Sequence, residues 1–261
     1  LPHKHLLQNR YLITRLITQE VFGITYIAHD NKLDIKVCIK ELFISGYNTR
    51  GSENTVQSQT SANFPFEEYL KRFIEEARQL ARFNHPNIVR VTDIFQEHDT
   101  AYLVMEFVEG ETLKEFVTEN GPMDFEKAKT VFRQIFSAVA AVHEKGMLHR
   151  DIKPDNILLD DNLRAVLIDF GAAREFAEGK TSNHTAILTP GFAPPEQYSE
   201  SAKRGNFTDI YSLGATLYFA LTGVKPLSVT DRVNKKMKSP HELSSKISFR
   251  VSNVIMKALE L

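Results

Sequence analysis

The stretch His149-Arg150-Asp151-Ile152-Lys153-Pro154-Asp155-Asn156 puts a carboxylate, an ammonium and a side-chain amide close together along the chain. After two apolar runs, 157–159 and 165–168, comes a second polar cluster, Asp169-Phe170-Gly171. Two aspartates, a lysine and an asparagine drawn to one place make little sense as an apolar core, where each would need a partner. They suit a hard cation and a polyanion, with oxygen donors for the metal and positive charge for phosphate. Either cluster alone reads as solvated loop; the two in succession argue for a metal–phosphate site.

Strands and helices must position these groups. Residues 11–17, 23–28 and 35–42 are short, rich in β-branched side chains and separated by polar turns, which predicts strands. Period-two alternation through Val37-Cys38-Ile39-Lys40 sets Lys40 on the face of Cys38, opposite Val37 and Ile39. Residues 45–63 carry Gly46, Asn48, Gly51, Asn54 and several Ser and Thr, the composition of a long, mobile loop. From 66 to 83 the period becomes helical, with Phe73, Ala77 and Leu80 on one face and Glu76 sharing it. A carboxylate on an apolar face needs a cation. Strands at 88–96 and 100–107 follow, then helices, the clearest from 124 to 145 with its stripe Ala128, Phe132, Ile135, Val139 and Val142.

Bulk composition narrows the classes. With 261 residues, 42% hydrophobic and 25% charged, the chain has the balance of an ordinary globular protein. Its 32 basic and 33 acidic residues give a net charge of −1, which argues against nucleic acid or an anionic membrane as partner. A single cysteine, Cys38, excludes an internal disulfide framework and predicts a reducing, cytoplasmic setting. The apolar stretch near 210–221 is too short for a membrane span and is interrupted by Ser212, Gly214 and Thr216. The first residues have neither a signal-peptide core nor a starting methionine, so a piece of a longer protein is expected.

The two polar clusters resemble the catalytic and metal-binding loops of the protein kinase family, and the resemblance covers nearly the whole chain. It implies an α+β, bilobal fold: a small antiparallel sheet with one main helix over residues 1–108, including the polar loop 45–63, and a larger, mainly helical lobe over 109–261 that stops short of the family's C-terminal end. It implies Asp151 and Lys153 as catalytic residues, the first accepting the substrate's hydroxyl proton and the second neutralising the phosphoryl group. Asn156 and Asp169 become ligands of Mg²⁺, with Mn²⁺ as a substitute. Val37-Cys38-Ile39-Lys40 looks like the V-A-I-K strand, so Lys40 is expected to hold the α- and β-phosphates with Glu76 as its partner. Met105 takes the gatekeeper position, Glu106 to Val108 the hinge that bonds adenine, Glu111 the ribose, and Cys38 and Leu158 the two faces of the ring. Ile17, Gly23 and Thr25 complete the ATP-binding set.

Pro194-Pro195-Glu196 resembles the A-P-E end of an activation segment, Asp209-Ile210-Tyr211-Ser212-Leu213-Gly214 resembles a D-x-W-S-L-G helix start, and Thr189-Pro190-Gly191 occupies the substrate-contacting turn. Lys153 together with Thr189 favours serine and threonine as acceptors, and the wording of 22–26 and 189–198 is most like bacterial serine/threonine kinases. Arg150 is expected to meet a phosphate on Thr181, Ser182 or Thr185. Glu196 is expected to lack its family partner, an arginine beyond a helix at 248–260, and to take water or a substitute donor. The glycine-rich loop departs from the pattern: its glycines should fall on Thr18, Glu20 and Gly23, and only Gly23 is glycine. The expected activity is therefore transfer of the γ-phosphoryl group of ATP to protein Ser/Thr hydroxyls, including the chain's own, with release of ADP. The alternatives are a pseudokinase that binds nucleotide or partners without transfer, and a small-molecule phosphotransferase, which leaves 189–196 unexplained.

Overall fold

Alternating apolar residues build the first part of the chain into a sheet with one covered face. The computed structural model describes residues 1–58, 66–170, 188–199 and 201–261. These fall into two units: the smaller contains the described residues of Leu1–Asn84 and Val89–Phe107, the larger His85–Ile88 and the described residues from Val108 on. The division falls between Phe107 and Val108, beside the expected boundary after residue 108. His85–Ile88 belongs to the larger unit, because Asn87 Nδ2 donates to Ala165 O (2.7 Å), Leu167 N donates to Asn87 O (2.9 Å), and His85 bonds Ser137 Oγ (3.1 Å).

In the smaller unit β1 (Leu6–Leu7), β2 (Tyr11–Glu20), β3 (Gly23–Asp30), β4 (Ile35–Glu41), β7 (Val91–Glu97) and β8 (Thr100–Glu106) form an antiparallel sheet in the order β1-β2-β3-β4-β8-β7. Ile24, Tyr26 and Ala28 of β3 and Val37, Ile39 and Glu41 of β4 are buried, while Thr25, Ile27, Cys38 and Lys40 lie half-buried on the opposite face. Helix α1 (Phe66–Leu80) buries Phe66, Tyr69, Phe73, Ala77 and Leu80, a stripe at helical spacing, and packs on β7 and β8.

The polar stretch after β4 departs from the expected loop. Residues Asn48–Arg50 and Val56–Ser58 pair as a hairpin, β5 and β6, closed at Gly51–Thr55. Three-residue strands carry little local signal, and this hairpin is held by distant bonds: Arg50 to Glu41, and Val56 N to His98 O (2.8 Å).

In the larger unit, β9 (Glu111–Thr112), β10 (Ile157–Leu159) and β11 (Ala165–Leu167) form a small sheet beside α2 (Leu113–Asn120) and α3 (Phe125–Glu144). Asp124 caps α3 by accepting from Lys127 N (2.8 Å), and Gly146, at φ +69, turns the chain away after it. The apolar α4 (Asn206–Thr222) is buried on most sides, against α3, α5 (Pro240–Leu243) and α6 (Phe249–Ala258). The architecture is α+β, an antiparallel sheet with one helix among the described residues of the first unit and a mainly helical second unit.

Candidate active site

The loop between α3 and β10 carries the expected catalytic residues, and its bonding fixes them. Asp151 Oδ2 accepts from Asn156 Nδ2 (2.8 Å) and lies 3.1 Å from Lys153 Nζ; Asn156 Nδ2 also donates to Asp151 O (2.8 Å). All three side chains are buried. Both acceptors facing Asn156 Nδ2 are oxygens that cannot donate, so the orientation of the amide is set and Oδ1 is the atom turned away from Asp151. A short helical turn, Pro154–Asn156, begins the approach to β10, and Ile168 N donates to Asn156 O (2.9 Å), tying this loop to the next.

What holds the loop in place lies far away in sequence. Asp209, in the first turn of α4 and 0% exposed, accepts from His149 N (2.9 Å), Arg150 N (2.8 Å) and His143 Nε2 (2.7 Å). Arg150 has φ +67, a left-handed backbone that a non-glycine residue holds only when its surroundings demand it. Two amides bonded to one carboxylate supply that demand, and Gln197 Nε2 adds a bond to Arg150 O (2.8 Å). His149 is fully buried: Nε2 meets Ile168 O (3.1 Å), Nδ1 meets Asp151 N (3.3 Å), and the ring lies 4.3 Å from that of Phe170. Burial pushes its pKa down, against the pull of the Asp209, Asp151 and Asp169 carboxylates, which raise it. The neutral ring fits the bonding, since Nδ1 faces an N–H and must accept. Asp169 is half-buried with φ +60, a second strained backbone in the same region.

In the smaller unit the strand register brings several expected residues to one face. Thr25 pairs with Lys40, Ile27 with Cys38, and Cys38 with Met105. Space at Gly23 is tight: a Cβ there would sit 3.1 Å from Lys40 Cε and 3.0 Å from Glu41 O. Ile17 falls in the register irregularity between Leu16 and Thr18 and is exposed. Glu76 is half-buried between Phe73 and Leu80 on α1. Thr18 and Glu20 are part of β2, which pairs with β3 as far as Glu20 and Gly23, and the Glu20 carbonyl accepts from Ser45 Oγ (3.0 Å).

At the edge of the smaller unit Glu106 N donates to Arg90 O (2.9 Å), and Val108 opens the larger one. Glu111 and Leu158 come together on the small sheet, where Leu159 pairs with Glu111 and Leu158 with Thr112.

Two further expected groups, Thr189 and Glu196, lie in the segment 188–199. Thr189 begins a turn in which Phe192 N and Ala193 N both donate to its carbonyl (3.1 Å each). The Glu196 carboxylate accepts from Thr208 Oγ1 (2.7 Å) at the start of α4. Gly171, Thr181, Ser182 and Thr185 lie outside the described residues. Sequence reasoning missed the roles of Asp209, His143 and Gln197. Its available signals were a carboxylate opening an apolar helix and a histidine at the end of another.

The protein kinase domain is matched over residues 15–259. Serine/threonine-protein kinase PrkC of Bacillus subtilis (strain 168) is 33% identical over 260 residues, covering 97% of this chain and 37% of that protein. Serine/threonine-protein kinase PknL of Mycobacterium tuberculosis (strain ATCC 25618 / H37Rv) is 34% identical over 224 residues, 85% of this chain and 52% of that one. The chain therefore spans little more than a third to a half of these relatives. Among solved structures, the PpkA-294 apo form aligns with a TM-score of 0.86 at 33% identity, over 100% of this chain and 93% of that one. Rad53 1-466 in complex with AMP-PNP aligns at 0.72 with 24% identity, over 96% of this chain and 60% of that one, a likeness of fold.

Proposed function

The chain belongs to the protein kinase domain family, and on that premise we propose that it transfers the γ-phosphoryl group of Mg·ATP to serine and threonine hydroxyls of proteins. The observation that carries this reading is the buried trio of Asp151, Lys153 and Asn156, held on a loop anchored by Asp209. Phosphoryl transfer asks the protein mainly for positioning and charge, which is what such a loop can give. Asp151 orients the acceptor hydroxyl and takes its proton as the oxygen attacks. Lys153, 3.1 Å from Asp151, balances the charge of the phosphoryl oxygens. Asn156 Oδ1 and the Asp169 carboxylate are the hard oxygen donors that fit Mg²⁺, whose shell in such sites is completed by phosphate and water. Held there, such an ion would supply positive charge to offset that of the phosphate oxygens.

Lys40 is assigned to the α- and β-phosphates with Glu76 as its counter-charge. Glu106, Val108, Cys38, Leu158 and Met105 are assigned to adenine, and Glu111 to the ribose. Cytoplasmic action is part of the proposal; none of the described helices is long and apolar enough to cross a membrane. The rival reading, a nucleotide-binding scaffold without transfer, rests on Thr18 and Glu20 alone, and the relatives named above are kinases by name.

The test is incorporation of labelled phosphate from ATP into a generic protein substrate, with Asp151→Asn as control. Incorporation at least about a hundredfold above that control is expected, the scale of general acid–base and positioning effects. Equal incorporation by parent and variant refutes the proposal.

A further inference from the structure

Between β4 and α1 the chain makes its polar excursion, and the bonds of that excursion point at two places in the smaller unit. Ser45 grips the β2–β3 turn, with its N donating to Val21 O (2.9 Å) and its Oγ to Glu20 O (3.0 Å). Phe22 of the same turn stacks on Tyr69 of α1 at 6.4 Å. Further on, Arg50 of β5 reaches Glu41 with both terminal nitrogens, Nη1 to Oε1 at 2.6 Å and Nη2 to Oε2. Glu41 is 0% exposed and also accepts from Tyr26 OH (2.9 Å) and Tyr102 OH (3.0 Å). Those tyrosines stand on β3 and β8, the strands flanking β4.

Glu41 is the residue next to Lys40. On one strand the two point to opposite faces yet share a peptide unit. Both lie close to Gly23, where a Cβ would come within 3.0 Å of Glu41 O and 3.1 Å of Lys40 Cε. A carboxylate at this depth stays only while a cation balances it. Without one, the bonds that fix Glu41, and with it the end of β4, lose their charged partner. The arginine that balances it comes from the hairpin. The hairpin is itself seated by Val56 N to His98 O (2.8 Å), by Arg50 Nη1 to Asn54 O (3.1 Å) and by the Arg50 guanidinium 5.0 Å above the Phe43 ring.

We infer that the 45–58 hairpin is a built-in counter-ion for the strand of Lys40, and that Arg50 is a positioning residue for nucleotide phosphates. By neutralising Glu41 on the covered face it holds Lys40 in place beneath Gly23 on the other. The inference rests on the assignment of Lys40 to the phosphates, so binding and transfer are measured separately.

The experiment titrates Mg·AMP-PNP calorimetrically into the whole chain and determines KM for ATP and kcat on a generic protein substrate. Arg50→Met is expected to weaken AMP-PNP binding about tenfold and to raise KM for ATP by a like factor, with kcat at saturating ATP within about threefold of the parent. Arg50→Lys keeps the charge and should recover most of the affinity. Glu41→Gln combined with Arg50→Met removes both charges, leaves an amide oxygen for the two tyrosines, and should bind within about threefold of the parent.

A folded Arg50→Met with unchanged affinity, or with kcat lowered and KM unchanged, overturns the inference. Should Arg50→Met fail to fold, the double variant decides. Parent-like binding supports the inference, and binding about tenfold weaker, or failure of this variant to fold as well, overturns it. A parent that binds no Mg·AMP-PNP overturns the Lys40 assignment and this inference together. A parent that binds but transfers nothing overturns the proposed activity alone.

Discussion

Replacing Asp209 by asparagine perturbs the catalytic loop without touching a catalytic residue. The carboxylate accepts three bonds, from His149 N, Arg150 N and His143 Nε2, at a site closed to water. An asparagine of the same shape has one acceptor oxygen. With that oxygen on Arg150 N, its NH₂ faces the His149 amide, and at least one buried N–H loses a charged acceptor. Hydrogen bonds to charged groups contribute about 1.5–3 kcal/mol each, and a buried donor left unsatisfied costs about 1–3 kcal/mol. Arg150, at φ +67, stores strain of about 1–3 kcal/mol that the two amide bonds now restrain. The loss is as large as the strain, so the loop relaxes and Asp151, the next residue, moves with it. A net 2–3 kcal/mol against the competent geometry corresponds to a fall of roughly 30- to 150-fold in kcat. KM for ATP should stay within about threefold, because Lys40 belongs to the other unit. Steady-state transfer from labelled ATP measures both, with a thermal melt to establish that the variant is folded. A folded Asp209→Asn with kcat within about threefold of the parent refutes the anchoring argument.

Two further outcomes are expected. Burial keeps His149 neutral below the ordinary histidine pKa, so its imidazole should show neutral ¹⁵N shifts at pH 6. Because the unfolded chain takes up that proton first, His149 should cost stability as pH falls below about 6.5; an imidazolium spectrum at pH 6 would refute this. Incubation with Mg·ATP should phosphorylate the parent on at least one of Thr181, Ser182 and Thr185, bringing a phosphate to Arg150. Mass spectrometry checks it, with Asp151→Asn as control, and an unmodified parent peptide counts against it.

The sequence made the site legible where chemistry and neighbourhood coincide. Asp151, Lys153 and Asn156 are separated by a few residues, so the loop that brings them together is local and their types already announce charge handling. The faces of β4 and α1 followed from periods of 2 and 3.6, which need nothing beyond alternation and a stripe. The hairpin β5–β6 was read as loop because Gly, Asn, Ser and Thr make up most of it and its strands are three residues long. Its stability comes from Arg50 meeting Glu41 across the sheet face, a pairing set by topology and invisible to local pattern. The same holds for Asp209, whose partners lie some 60 residues back along the chain. The Glu196 partner was anticipated only as a kind of group, a substitute donor, because which hydroxyl reaches it depends on how α4 begins.

A signal for the missed pieces was nonetheless present, in the form of acidic residues at positions that the pattern assigns to the core. Glu41 follows Val37 and Ile39 at period two, so it must share their covered face, just as Glu76 shares the face of Phe73 and Leu80. Asp209 opens a helix that is apolar on most of its faces. A carboxylate is kept at such depth only when something compensates it. In this chain the compensation is supplied each time from a distant segment: Arg10 for the buried Asp30, Arg50 for Glu41, two loop amides and His143 for Asp209. The last two sit beside the residues assigned to the phosphates and to the hydroxyl, Lys40 and Asp151. A charge-handling side chain must be held still on the open face of its element, and an apolar neighbour holds it only by shape. A buried ion pair or a carboxylate accepting backbone amides holds it by direction as well, because displacement breaks bonds that water cannot reach to replace. That is why Glu41 and Asp209, each buried and held by directed bonds, lie beside the residues assigned to the phosphates and to the hydroxyl.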